Sequence, residues 1–307
     1  MDLNIKKILV PVDFSPASAN ALDSAIAMAK RLEAELLLVN VVEKIGLSNG
    51  GQNHGQPGSG QELVMMHYAE QELQGIQHSV IENSLVHCEA VVTSGIVSAA
   101  ITKLALSHHA DLIIMGTHGS SGFKKSLIGL NAFNVVKNAN CPVLTIPPQK
   151  KWDSFKKILF PVRPIPAALE KYEFVRKLIG RYSSILKVLG LASNEGREVH
   201  LLKELSAQLN EKLKVDNVTS STYFKVGENM ADEVLKIAQV MDTDLIVITA
   251  SMDTLVEQNI VSPYTHHIIN HALHPVLCIK PMLTGDNGHQ KGYFVANAVT
   301  TLLPIYN

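Results

Sequence analysis

The chain has 307 residues, room for about two domains, and its 46% hydrophobic and 18% charged content describes a globular protein with ample core. A net charge of −1 removes the electrostatic case for nucleic acid or an anionic membrane as partner. No apolar stretch approaches the roughly 20 residues of a membrane span. The run Ile8-Leu9-Val10-Pro11-Val12 is cut by Asp13 and is too short for a secretion signal. Cys88, Cys141 and Cys278 are widely spaced with no C-x-x-C, so a cytoplasmic protein with buried thiols is expected.

Strand and helix patterns alternate from the start. Lys6 to Asp13 reads as a first buried strand with a polar residue at its end. Ser15-Pro16 is a helix start, with Ser as N-cap and Pro at the first helical position. Ala21, Leu22, Ala25, Ile26, Ala29 and Leu32 follow at helical spacing, and Lys30 and Arg31 suit the last turn. Glu35 to Val42 is a second strand. Lys44 to Gly60 is rich in Gly, Ser, Asn and Gln and reads as a flexible loop. Gln61 to Asn83 looks helical, with Leu63, Met66, Tyr68, Leu73 and Ile76 as its apolar positions. Ser84 to Thr93 is a third strand, and Gly95 turns into a helix carrying Ile96, Ala100, Ile101, Leu104 and Ala105. Asp111 to Met115 is a fourth strand, a helix runs from about Leu127 to Asn138, and Cys141 to Ile146 is a fifth strand. Strands apolar on both faces, alternating with helices, predict a parallel sheet covered on both sides.

The pattern then repeats. Lys6-Lys7-Ile8-Leu9-Val10-Pro11-Val12 returns as Lys156-Lys157-Ile158-Leu159-Phe160-Pro161-Val162, an offset of 150. Asp111-Leu112-Ile113-Ile114 returns as Asp244-Leu245-Ile246-Val247, and Pro142-Val143-Leu144 as Pro275-Val276-Leu277, both at an offset of 133. The second copy is shorter in the middle, chiefly because it lacks the glycine-rich loop. We therefore expect two copies of one domain, residues 1–149 and 150–282, followed by a tail, 283–307.

One stretch carries chemistry. Gly116, Gly119 and Gly129 give G-x2-G-x9-G between the fourth strand and the following helix. A strand, a glycine loop and a helix N-terminus together offer outward backbone N–H groups and the positive end of a helix dipole to an anion. Glycine lets a phosphate approach backbone with no Cβ in the way. The plainer reading is that these glycines serve tight turns and close helix packing. His118 lies between two of them, as a phosphate contact or as a solvated loop residue, and Lys124 and Lys125 follow in the loop. In the second copy Asp13 aligns with Arg163, Gly116 with Thr249, Gly119 with Met252 and Gly129 with Ser262, so the pattern is lost while the strands persist.

The span from Lys6 to Pro281 resembles a tandem universal stress protein. The resemblance rests on Pro11-Val12-Asp13-Phe14-Ser15, Val39-Asn40-Val41-Val42, Thr93-Ser94-Gly95, Gly116-Thr117-His118-Gly119, Gly129 and Cys141-Pro142-Val143-Leu144. It implies two doubly wound five-stranded parallel sheets of order 3-2-1-4-5, an adenine nucleotide α-hydrolase-like fold. Asp13 and Gly116 would then line the switch-point crevice where open α/β sheets take ligands. Part of the family binds ATP through this glycine pattern followed by Ser or Thr. Carried over, Gly116, Gly119 and Gly129 would present N–H groups to the phosphates, with His118 beside them. Asp13 would accept from ribose or adenine, and Pro11, Val12, Val41 and Met115 would flank the base. The position after Gly129 is Leu130, without a hydroxyl; its N–H and the Asn131 amide remain. One lost hydrogen bond to a charged group is worth roughly 1.5–3 kcal/mol, about one to two decades of affinity. A Mg²⁺ ion accompanying ATP would use phosphates, water and Asp13.

The resemblance also implies antiparallel pairing of fifth strands, here Val143 to Ile146 with Val276 to Ile279 as an intramolecular pseudo-dimer, and further assembly into a homodimer. The implied function is a cytoplasmic stress-response protein that binds ATP or a related adenine nucleotide in its first domain and signals to a protein partner by conformation. The alternative is a tandem scaffold that binds no nucleotide and works through dimer edges and the glycine-rich loop. Catalysis is not expected as the function: there is no P-loop, no G-x-S-x-G and no paired carboxylate near the glycine loop. His266, His267, His271 and His274 are the densest histidine group, with no carboxylate nearby in sequence, and no metal site is assigned.

Overall fold

Isoleucine, leucine and valine in unbroken series build β1 (Lys7–Pro11). The Ser15-Pro16 start becomes α1 (Pro16–Leu32): Ser15 Oγ accepts from the Ser18 N–H at 3.2 Å, and Glu33 ends the helix in the left-handed conformation. Next come β2 (Glu35–Glu43), α2 (Ser59–Ser84), β3 (Cys88–Gly95), α3 (Val97–Ser107), β4 (Leu112–Gly116), α4 (Leu130–Asn138) and β5 (Val143–Ile146). The second half repeats them as β6 (Lys157–Val162), α5 (Lys171–Tyr182), β7 (Ile185–Ala192), α6 (Gly196–Val215), β8 (Ser220–Val226), α7 (Met230–Val240) and β9 (Leu245–Thr249). A small hairpin of β10 (Met252–Asp253) and β11 (Ile260–Val261) intervenes before α8 (Pro263–His271) and β12 (Val276–Ile279). This computed structural model describes residues 5–43, 59–117, 129–148, 151–165, 167–193, 196–250, 252–253 and 260–280. The tail and most of the glycine-rich loop lie outside them.

Ten strands form one sheet in the order β3-β2-β1-β4-β5-β12-β9-β6-β7-β8. Pairing within each half is parallel, and the halves join where β5 and β12 run antiparallel, with Thr145 opposite Val276, Leu144 opposite Leu277 and Val143 opposite Cys278. Each half is thus ordered third, second, first, fourth, fifth along the chain. Successive strand residues face opposite sides. Ile8 and Val10 pack with α1 and α2 residues such as Leu22 and Leu73, while Leu9 packs with Ile101 and Val135 of α3 and α4. The repeated Lys-Lys and Asp pairs have a structural cause. Asp111 Oδ2 accepts from the N–H groups of Lys6 and Lys7 at 2.8 and 3.0 Å, and Asp244 Oδ2 does the same for Lys156 and Lys157 at 3.0 and 2.8 Å. Among the described residues no helix is long and apolar enough to cross a membrane.

Three expectations are corrected. The third strand starts at Cys88, because α2 runs on to Ser84. The fourth helix is described from Leu130, with Gly129 as its N-cap; Leu127 lies outside the described residues. Of the apolar positions read along that helix, Leu63 and Tyr68 are exposed rather than packed, whereas Ala69, Leu73 and Val80 are buried. The reason is length: α2 spans about 39 Å, β3 about 26 Å, so the first turns of α2 overhang the sheet. The shorter middle of the second copy is visible as a connection of residues 193–195 between β7 and α6, against 44–58 between β2 and α2.

Candidate functional site

A crevice forms in the first domain because β1 and β4 part. Their ladder holds Ile8 opposite Leu112 and Leu9 opposite Ile113. Beyond it each strand follows its outer neighbour: the Val12 N–H donates to the Val39 carbonyl at 2.8 Å, and the Thr117 N–H to the Ile146 carbonyl at 3.1 Å. The gap is the switch point of an open α/β sheet.

Four segments meet at this end of the sheet. Half-buried Pro11, buried Val12 and exposed Asp13 come from the end of β1; half-buried Val41 from the end of β2. Buried Met115 and half-buried Gly116 end β4, and half-buried Gly129 with exposed Leu130 and Asn131 starts α4. His118 and Gly119, with Lys124 and Lys125, lie outside the described residues.

Local contacts explain several of these residue types. Asp13 Oδ1 accepts from the Ser15 N–H at 3.1 Å and from Ser15 Oγ at 2.5 Å, around a left-handed Phe14 with φ 61°. The carboxylate therefore braces the entry to α1 while the residue stays exposed. A Cβ on Gly116 would stand 2.9 Å from the Ala17 carbonyl oxygen and 3.0 Å from its carbon. That glycine lets β4 press against the first turn of α1, which is the packing use rather than clearance for a ligand. Gly129 has φ −59° and ψ 141°, open to any residue, and its N–H donates to the Thr117 carbonyl at 2.6 Å. What it lacks is a capping side chain. The N–H groups of Leu130, Asn131 and Ala132 have no acceptor within the helix, by the geometry of any α-helix start. They carry the positive end of the dipole of α4.

The counterpart in the second domain is different at each of these points. Ser262 Oγ caps α8 by accepting from the Thr265 N–H at 3.4 Å, and Pro263 has no N–H. Tyr264, in the place of Asn131, carries the Arg163 guanidinium 4.0 Å above its ring, and Arg163 stands where Asp13 stands in the first domain.

Two positioning residues were not singled out from sequence. Asn40 is buried and donates from Nδ2 to the Val12 carbonyl at 2.7 Å, tying the ends of β1 and β2 together on one side of the crevice. Its signal was one amide inside the apolar run Leu36 to Val42. Thr117, also buried, links Ile146 and Gly129 through its own backbone groups. The histidine group does gain a carboxylate from the fold: α7 brings Asp232 Oδ1 to 2.6 Å from His267 Nε2. His267 and His271 stack at 4.3 Å, while His266 packs on Phe133 and His274 on Trp152. Among the described residues no three metal-ligating side chains gather. Burial pushes the thiols of Cys88 and Cys141 up to about 11 and about 12, far from reactive thiolates. An open groove lined by Lys6, Lys30, Glu33, Glu35, Ser84 and His87 lies at the opposite end of the strands and touches none of the crevice residues.

Fold and crevice together define a tandem doubly wound α/β protein with two switch points of unlike chemistry. The chain belongs to the universal stress protein family, whose domain matches twice, over residues 4–147 and 155–280. A universal stress protein of Methanocaldococcus jannaschii is 33% identical over 149 residues, 48% of this chain and 84% of that protein. A universal stress protein A homologue of Coxiella burnetii is 30% identical over 145 residues, 47% of this chain and 97% of that protein. The crystal structure of a universal stress protein from Archaeoglobus fulgidus superposes with a TM-score of 0.74, covering 92% of this chain and all of that one at 17% identity, a likeness of fold.

Proposed function

We propose that the first domain binds ATP or a related adenine nucleotide in the crevice between β1 and β4, and that occupancy is signalled to a protein partner through conformation. The observation that carries this is the start of α4, a helix N-terminus with no side-chain cap beside the exposed Asp13 at a sheet switch point. Phosphates would take the N–H groups of Leu130, Asn131 and Ala132 and the glycine loop. Asp13 would accept from the ribose, and Pro11, Val12, Val41 and Met115 would flank the base. Where Mg²⁺ accompanies the nucleotide, Asp13 is the carboxylate at hand. The second domain, residues 150–282, serves as a partner for β5 and not as a second nucleotide site. Cytoplasmic stress signalling, with assembly into a homodimer, belongs to the same reading, and ATP turnover is not its output.

The test is nucleotide released on denaturing the purified full chain, joined to an ATP titration by calorimetry. Bound adenine nucleotide, or a saturable heat that Asp13→Ala weakens, supports the reading. No nucleotide and no heat at millimolar ATP sinks it in favour of the scaffold. Rapid consumption of ATP with a defined co-substrate would make the protein an enzyme instead.

A further inference from the structure

The ten-stranded sheet ends in β3 on one side and β8 on the other, and the two edges are finished differently. In a strand, alternate residues turn their N–H and C=O groups to opposite sides. The Leu36 N–H takes the His87 carbonyl, so the odd-numbered residues of β3 serve β2, and Cys88, Ala90, Val92 and Ser94 turn outward. There Gln77 of α2 donates from Nε2 to the Cys88 carbonyl at 2.7 Å, Glu89 sets a half-exposed carboxylate beside it, and no large apolar side chain of β3 is exposed. Such features protect a sheet edge from pairing.

β8 carries none of them. The Leu186 N–H takes the Thr219 carbonyl, and the Gly227 N–H donates to the Ala192 carbonyl, so the odd-numbered residues serve β7. Ser220, Thr222, Phe224 and Val226 turn outward, and among the described residues their backbone groups meet no partner there. The strand has seven residues without proline, glycine or bulge, and one charge, Lys225, whose Nζ lies 3.8 Å from Glu233 of α7. Tyr223, Phe224 and Val226 are 41%, 52% and 52% exposed. Phe224 is nonetheless fixed in place: its ring lies over Gly190 of β7, where a Cβ would stand 2.7 Å from Phe224 Cδ1. A regular, apolar edge with open backbone groups is a template for another strand.

We propose that β8 pairs antiparallel with β8 of a second copy, about a twofold axis at Tyr223, so that two chains share one continuous sheet.

The register follows from the edge itself. A twofold at Tyr223 sets Ser220 against the partner's Val226 and Thr222 against the partner's Phe224. Every outward residue then meets an outward residue, as the hydrogen-bonded pairs of an antiparallel ladder do, and the whole strand is used. Tyr223 meets the partner's Tyr223 at the non-hydrogen-bonded position, where side chains approach most closely, and the rings pair. Lys225 falls opposite the partner's Ser221, so no like charges face each other. Opposed residues also share a face. Thr222 and Phe224 lie on the α6 side with Asn210 and Leu202, and Lys225 lies on the α7 side with Glu233. A second copy is the occupant because the chain already makes this junction once. At the seam of β5 and β12 two parallel half-sheets join antiparallel, and β8 extends the same sheet by the same rule at its open end. The protected edge at β3 keeps β8 from adding to the far end of a neighbour. Such a head-to-tail contact would run on into a filament; the self-complementary contact closes as a dimer. This interface serves the homodimer of the reading above but rests on edge geometry alone, without the nucleotide.

The experiment is sedimentation velocity of the full chain across a dilution series, with and without ATP. One strand and its side chains make a small interface, so a dimer that dissociates on dilution through the micromolar range is expected in both conditions. Tyr223→Lys sets two charges face to face, and Thr222→Pro removes an outward N–H while leaving the β7 ladder intact. Each should raise the dimer dissociation constant about tenfold or more. Asp13→Ala, in the first crevice, should leave it within about twofold. Tyr223→Cys should give a disulfide-linked dimer with oxidised glutathione, since the facing Cβ atoms would stand about 4.5–5.5 Å apart. Tyr68→Cys, exposed on α2, should not, nor should the parent chain. Circular dichroism checks that each variant is folded, and the cysteine variants keep the test open if Thr222→Pro is not. A dimer unchanged in both Tyr223→Lys and Thr222→Pro, or equal cross-linking of both cysteine variants, overturns the proposal. A chain monomeric throughout the series leaves the edge to another protein's strand and also overturns it. So does a dimer lost without ATP or in Asp13→Ala, which would depend on the first crevice instead.

Discussion

The two crevices are built on the same strand ends and reach opposite chemistries. In the first, the described groups are a carboxylate, a glycine and an uncapped helix start; in the second, an arginine, a threonine and a helix sealed by serine and proline. The scaffold tolerates either because the switch point lies beyond the ladder. There each strand is held by its outer neighbour alone, through backbone groups that any residue supplies, so a change costs mainly what its own side chain costs. The core is the contrary case: Leu9 and Leu159, or Ile113 and Ile246, remain apolar and fully buried in both copies.

The largest test of this contrast is Lys171→Met. Burial, then Arg163, lowers the Lys171 amine from its ordinary 10.5 to about 7. Between those values the unfolded chain holds more protons than the folded one, so stability rises with pH across that window, and the penalty is complete below about pH 7. The variant should gain about 2–4 kcal/mol near pH 7, read by denaturant unfolding, and lose this upward slope between pH 7 and 10. An unchanged slope would break the assignment of a buried amine. Gly116→Ala should cost about 1–3 kcal/mol, because the new Cβ meets Ala17 backbone at 2.9 Å. Thr249→Ala, at the matching position, should be neutral or stabilising in denaturant unfolding, since its hydroxyl has no described partner. Leu130→Ser should tighten ATP by about tenfold, one hydrogen bond's worth, in the calorimeter. Lys280→Met should cost about 1 kcal/mol in thermal unfolding, because the Lys280 amine donates to the Lys137 and Ala139 carbonyls at 2.5 and 2.9 Å, closing the end of α4.

The fold was legible because the sequence states it twice. Two offsets, and the shift between them, state that one unit occurs twice and that the second copy is shorter in the middle. Ser15-Pro16 announced α1 because a cap is a local device, readable from adjacent residues. The exposed half of α2 was not readable, since overhang depends on the length of a strand found later in the chain. The crevice was legible as a set of residues but less so as a set of roles. Spacing cannot say which neighbour a missing Cβ serves, and for Gly116 it is Ala17. Asp13 is a turn brace in its contacts, and only the proposed nucleotide site makes it a ligand acceptor. Lys171 was overlooked because a lysine within an amphipathic helix ordinarily lies on the wet face. Set beside Ala21 at the offset of 150, it would have stood out.

The antiparallel contact between β5 and β12 has a geometric consequence. Strands of the two halves run in opposite senses, so the two switch points open at opposite rims of the sheet. Ligands held in them could never touch. The shortest covalent and hydrogen-bonded route between them runs through the seam, and one side-chain tie crosses it. Lys280, the residue after β12, grips the tail of α4, a helix only about 13 Å long whose head stands at the first crevice. The last strand of one half is thereby tied to the helix that opens the mouth of the other.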